Sequence, residues 1–160
     1  MILGVDPGLG GGLAIIGNEG IMTETMPVTA GEIDLARLAR WLKAHSHDIS
    51  MAFVEKVHSM PKQGVSSTFK FGDVYGTIKG MLTAFGIPFE LVTPQSWTKE
   101  LHAGVSKGLP AKERSRLVAS RLFPDLDLRE SSRCRVPHDG MIDALLIAEY
   151  GIRKMGKGIQ

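Results

Sequence analysis

The sequence contains one cysteine, Cys134, so no internal disulfide can cross-link the fold, and a reducing, cytoplasmic setting is the natural expectation. It contains no apolar run of eighteen residues, which excludes a membrane-spanning helix. The opening stretch Met1-Ile2-Leu3-Gly4-Val5-Asp6 has no basic segment and places an acid at position six. It therefore reads as a structural strand and not as a secretion signal. No internal repeat, low-complexity tract or interdomain linker interrupts the 160 residues. That length fits one domain, 1–160, with a substantial core.

Net charge is also small, formally +2, but it is unevenly spread. Residues 1–95 carry 7 Lys/Arg against 9 Asp/Glu, and residues 96–160 carry 12 against 8. If some of the acids surround metal ions, the remaining surface is more basic than the total and suits a polyanion. On charge alone a mildly basic solvated face explains the numbers equally well.

Apolar runs punctuated by turn residues set the element order. Ile2–Val5 is a buried strand closed by Asp6-Pro7-Gly8, Leu13–Ile16 is a second, and Ile21–Val28 alternates as a third. Connections this short predict an antiparallel meander. Ile33, Leu35, Leu38, Ala39 and Leu42 recur at helical spacing, predicting a helix from about Gly31 to His45. Met51–Val57 reads as a fourth strand, Ser66–Phe85 as a helix, and Phe89–Val92 as a fifth strand. Thr93-Pro94 supplies an N-cap and an N1 proline for a short helix. Pro110 opens another helix to Leu122, and Asp139–Arg153 forms the last. The expectation is an α/β fold with a five-stranded mixed sheet, three antiparallel strands followed by two parallel ones, and helices on both faces.

Two of these strands end in acids. Ile2, Gly4 and Asp6 share one strand face, as do Met51, Phe53 and Glu55. If the strands are parallel neighbours, both carboxylates emerge at the carboxyl end of the sheet, where open α/β sheets bind ligands. The last helix adds Asp139 and Asp143, four apart and on one face. Asp143 borders the buried side formed by Ile142, Leu145, Leu146 and Ile147, where an unpartnered carboxylate is costly. Packed carboxylates repel and need a cation to stay ionised together; hard oxygen donors select Mg²⁺ or Mn²⁺. Taken singly, Asp6 is a good turn residue, Glu55 an ordinary strand-end acid and Asp139 a natural helix cap. The signal lies in the combination.

These segments resemble the RuvC family of Holliday-junction resolvases, within the RNase H-like superfamily. Ile2-Leu3-Gly4-Val5-Asp6-Pro7-Gly8 with Gly11-Gly12-Leu13-Ala14 resembles the family's first motif, Phe53-Val54-Glu55-Lys56-Val57 its second, and His138-Asp139-Gly140-Met141-Ile142-Asp143-Ala144-Leu145 its last. Pro61-Lys62-Gln63-Gly64 with Phe71-Gly72, and Thr93-Pro94-Gln95-Ser96-Trp97, look closer to the phage and chloroplast-type branch. That branch spaces its last two ligands four apart, which Asp139 satisfies; the residue three before Asp143 is Gly140, which has no side chain to coordinate. His138 is the second choice, five residues before Asp143 and about 500° around the helix.

The resemblance implies two Mg²⁺ ions, replaceable by Mn²⁺, bridged by Asp6 and completed by Glu55, Asp139 and Asp143, for hydrolysis of phosphodiesters to 3′-hydroxyl and 5′-phosphate ends. It implies a homodimer making paired nicks in a four-way DNA junction, no nucleotide cofactor, and a phage-encoded or organellar setting as alternatives. The Ser66–Phe85 helix, with Gly72, Gly76 and Gly80 on one face, is the candidate dimer contact, although packing within the chain explains those glycines as well. Lys56, His58, Lys62, Lys70, Lys107, Lys112, Arg114, Arg116, Arg133 and Arg135 are candidate phosphate contacts. Phe69 or Phe71 is a candidate wedge between bases, or a core residue.

Other readings share these residues. An RNase H-like nuclease for flaps or RNA–DNA hybrid has the same acids. A non-catalytic junction-binding protein has no need of all four. Sugar-kinase and actin-like ATPases share the first strand's Asp and Gly-rich turn but need two such domains, for which 160 residues are too few.

Overall fold

The computed structural model describes residues 1–56 and 64–157. In chain order the elements are β1 (Ile2–Asp6), β2 (Gly12–Gly17), β3 (Gly20–Thr25), β4 (Val28–Thr29), β5 (Glu32–Ile33), α1 (Leu35–His45), β6 (Met51–Glu55), α2 (Val65–Ala84), β7 (Phe89–Val92), α3 (Pro94–Leu101), α4 (Ala111–Leu122) and α5 (Asp139–Lys157). The main sheet has the order β3-β2-β1-β6-β7. β1, β2 and β3 pair antiparallel, while β6 joins β1 in parallel and β7 joins β6 in parallel. This is the mixed sheet that the strand pattern predicts.

Alternation along each strand sorts its side chains to two cores. Leu3, Val5, Leu13, Ile15, Ala52 and Val54 face α1 and α2, where Leu38, Leu42, Ile78 and Leu82 are buried against them. Ile2, Ala14, Phe53 and Val92 face the other way, toward Trp97, Val118 and the apolar side of α5. Helices therefore cover both faces. Among the described residues no helix is long and apolar enough to cross a membrane.

Four boundaries depart from the sequence expectation by two residues or more, one of them the end of the last helix, which runs to Lys157 and not Arg153. The third strand ends at Thr25, not Val28, because Met26 turns inward and donates to the Gly11 carbonyl at 3.0 Å, and Pro27 has no N–H for a ladder. The helix expected from Gly31 starts at Leu35, because the preceding residues form the β4–β5 hairpin. Its two-residue turn, Ala30 at φ 54° and Gly31 at φ 77°, has the positive dihedrals of a type I′ turn. Asp34 then caps α1, accepting from the Arg37 N–H at 2.9 Å. The fourth strand ends at Glu55; Val57 lies outside the described residues.

α5 lies unusually close to β1 and β2, and two glycines permit it. A Cβ on Gly4 would stand 2.0 Å from the Ala144 carbonyl oxygen, and one on Gly140 would stand 2.4 Å from the Gly10 carbonyl oxygen. With hydrogen in both places, the start of α5 rests directly on the sheet beside the end of β1. That contact carries Asp139 and Asp143 to the strand ends.

Candidate active site

β1 and β6 pair in register from Ile2↔Met51 to Val5↔Val54. The next step places Asp6 beside Glu55, and Glu55 is itself opposite Val92 of β7. Asp143 of α5 closes the group. Burial, followed by repulsion from Glu55 and Asp143, pushes the Asp6 carboxyl up to about 8. Burial also pushes Asp143 up, to about 6; the Ser115 hydroxyl opposes this, and Glu55 and Asp139 add to it. Glu55 is raised by burial and partly restored by the indole of Trp97, whose Nε1–H donates to Oε1 at 2.8 Å. Asp143 Oδ1 is buried with no hydrogen-bond partner, a costly state for a carboxylate oxygen.

Asp139 has a different environment. Its Oδ1 accepts from Arg116 Nε at 2.9 Å and Nη2 at 2.7 Å, and its Oδ2 faces Lys112 Nζ at 2.9 Å. Burial raises its carboxyl, but the bonds from Lys112 and Arg116 outweigh that and hold it below the ordinary range. The sequence suggested that Asp139 could be the helix cap. The structure gives that task to His138, whose Nδ1 accepts from the Met141 N–H at 3.3 Å. Asp139 is thus turned toward α4 and not toward its own helix end.

Among the described residues no three acidic, histidine or cysteine side chains converge closely enough to hold a metal as they stand. Asp139 is held by Lys112 and Arg116 of α4, and Glu55 accepts from Trp97 of α3. The donor chemistry nevertheless fits a hard divalent cation. Three buried or half-buried carboxylates resist ionising together, and one oxygen has no partner. A divalent ion relieves both costs.

No family model and no curated protein matches this chain. Solved structures do. A structure described as T. thermophilus RuvC in complex with Holliday junction substrate is similar to it over 98% of this chain and 95% of that one, with a TM-score of 0.68 and 19% identity. The fold is that of RuvC. A second solved structure, of Thermus thermophilus RuvC, covers 98% of this chain and 96% of its own with a TM-score of 0.60 and 20% identity.

On this RuvC fold the Asp6–Gly12 turn separates two cavities that share Gly10. One, of about 330 Å³, is lined by Lys112, Arg116, His138 and Asp139. The other, of about 720 Å³, is lined by Gly8, Leu9, Lys70, Phe71 and Val74. Lys56, Lys70, Lys107, Lys112, Arg133 and Arg135 are exposed, while Arg114 and Arg116 are half-buried. Phe69 is 77% exposed and Phe71 is half-buried near Gly8. His58 and Lys62 lie outside the described residues. The sequence reading gave no place in the site to Trp97, His102 or Ser115, which are buried, with Trp97 bonded to Glu55 and His102 to Ser115. Trp97 was visible only as the end of the Thr93–Trp97 segment that resembles the phage and chloroplast-type branch, and nothing local marked the other two.

Proposed function

We propose that this chain is a structure-specific DNA endonuclease, one nuclease domain over 1–160, that resolves four-way junctions by paired nicks with 3′-hydroxyl and 5′-phosphate ends. The observation that carries the reading is the strained carboxylate group. Asp6, Glu55 and Asp143 meet at the carboxyl end of parallel strands, with both aspartates driven up by burial and Asp143 Oδ1 left without a partner. A solved structure of the same fold holds a Holliday junction, which supports branched DNA as the substrate here.

Asp6, Glu55 and Asp143 would hold Mg²⁺ or Mn²⁺, with Asp139 joining them once it leaves α4. When bound, the metal supplies a hydroxide-like nucleophile and charge stabilisation for in-line phosphodiester hydrolysis. The chain's own groups do the rest. Lys112 and Arg116 stand over the same cavity as Asp139 and are suited to phosphate oxygens. An arriving DNA backbone competes with Asp139 for them and frees that carboxylate for the metal. Lys56, Lys70, Lys107, Arg133 and Arg135 are exposed cations for backbone contact.

A symmetric junction calls for a two-fold dimer. Cβ positions built on Gly72, Gly76 and Gly80 meet nothing within 4 Å, so packing within the described chain does not account for these glycines. Their open face on α2 supports a second copy docking there.

The test is Asp6→Asn. The variant keeps junction binding and loses cutting. If it cuts at the wild-type rate, the acids are not the active site.

A further inference from the structure

Glu55 and Asp143 come from different elements, and a polar group stands behind each. Trp97 is 3% exposed on α3, the helix that follows β7 directly. Thr93 caps that helix, accepting from the Ser96 N–H at 3.2 Å, and Pro94 fixes its first turn. Because Val92 of β7 pairs with Glu55, the capped helix delivers the indole to that carboxylate. An indole Nε1–H is a donor only, and here it is spent on Glu55 Oε1.

A second contact continues from the same ring. The imidazole of His102 meets Trp97 edge-on, with centroids 5.7 Å apart and planes at 82°. His102 Nε2 lies 3.2 Å from Ser115 Oγ, and both residues are buried. His102 Nδ1 has no partner. A bare lone pair there costs less than a bare N–H, so the pattern assigns the proton to Nε2, which donates to Ser115. The Ser115 hydroxyl is then free to donate to Asp143, in line with its effect on that carboxyl. Burial, with the nearby Arg114 guanidinium, pushes the His102 imidazole below its ordinary range.

We propose that Trp97 and the His102–Ser115 pair are positioning residues that keep Glu55 and Asp143 at the strand ends, within reach of a divalent cation bound there. The inference rests on reading those acids as metal ligands. Partners behind a ligand fix its orientation, and their loss typically costs about 10–100-fold in metal affinity or activity. A merely structural role predicts altered melting without a change in metal affinity.

The experiment uses the full chain with Mn²⁺ as calorimetric probe and Mg²⁺ for cleavage of a synthetic four-way junction. Trp97→Phe keeps an aromatic ring and removes the donor; Ser115→Ala removes the hydroxyl and Ser115→Thr retains it. Trp97→Phe and Ser115→Ala are expected to weaken Mn²⁺ binding about tenfold. They raise the Mg²⁺ needed for half-maximal cutting in parallel, with junction KM unchanged, and Ser115→Thr restores both. The chain has two tryptophans, so in Trp41→Phe protein the emission comes from Trp97 alone. Mg²⁺ should shift that emission, which reads the contact even if Trp97→Phe folds poorly. Wild-type Mn²⁺ affinity in both Trp97→Phe and Ser115→Ala, or no emission change with Mg²⁺, overturns the positioning role. If wild type binds no Mn²⁺, or Asp6→Asn binds it equally well, the metal-site reading falls first and takes this inference with it.

Discussion

Arg116 holds Asp139 through two nitrogens on one carboxylate oxygen, at 2.9 and 2.7 Å, while Lys112 faces the other oxygen at 2.9 Å. Asp139 is therefore the one acid of the group whose charge is already satisfied without a metal. In the proposed mechanism it must change partners before it can serve.

That exchange predicts an uncommon result for Arg116→Ala. Half-exposed ion pairs contribute about 0.5–1 kcal/mol, equivalent to roughly a two- to fivefold change in an equilibrium constant. In the absence of DNA, calorimetry should show Mn²⁺ binding Arg116→Ala more tightly than wild type by about that factor, with junction binding weakened. Unchanged Mn²⁺ affinity would mean that α4 does not compete for Asp139.

The acids also set a pH dependence. In the metal-free protein Asp6 and Asp143 are pushed up to about 8 and about 6, against about 4 in the unfolded chain. The native state then binds more protons than the unfolded state between those limits, so stability falls as pH rises from about 4 to about 8. Melting in chelator should follow that slope. Asp6→Asn should flatten it and melt higher than wild type near pH 8, and Mg²⁺ should stabilise wild type more than the variant. A wild-type Tm that rises across the window contradicts the strained site.

Gly4→Ala tests the seating of α5. The added carbon would lie 2.0 Å from the Ala144 carbonyl oxygen and 2.5 Å from the Ala148 nitrogen. These are backbone atoms, so the helix itself must shift. A destabilisation of about 1–3 kcal/mol or more is expected, visible in denaturant unfolding, together with loss of cutting as Asp143 leaves the strand ends. Wild-type stability would show that the helix does not sit this close.

Gly76→Arg tests the dimer. Its Cβ position is open, so the folded chain accepts the side chain while close approach of a second copy does not. Sedimentation should report a monomer with an unchanged melting temperature, and junction nicks should become unpaired. A persistent dimer places the interface elsewhere.

The strand-end acids were legible because an apolar strand ending in an acid needs only its own residues to be read; that β1 and β6 are parallel neighbours, which brings Asp6 to Glu55, was only a condition in the sequence and is seen in the sheet. The β4–β5 hairpin was not, since two-residue strands carry no period and Ala30 is an unusual residue at positive φ. Gly140 could be read only as a residue unable to coordinate. Its contact with the Gly10 backbone becomes visible once α5 is laid on the sheet. The partners of the acids were hidden by chain separation. Trp97 reaches Glu55 across 42 positions and Arg116 reaches Asp139 across 23. Nothing near Asp139 in the chain announces that α4 will claim it, and the helix-cap alternative belonged to its neighbour His138.

The most direct measurement is Mg²⁺-dependent cleavage of a synthetic four-way DNA junction, with cut sites and end groups mapped, beside linear duplex, flap and RNA–DNA hybrid of matched sequence. The account predicts paired symmetric nicks confined to the junction, with 3′-hydroxyl and 5′-phosphate ends, abolished by chelator and by Asp6→Asn. Equal cutting of linear hybrid or flap, or junction cutting that persists in chelator, would contradict it.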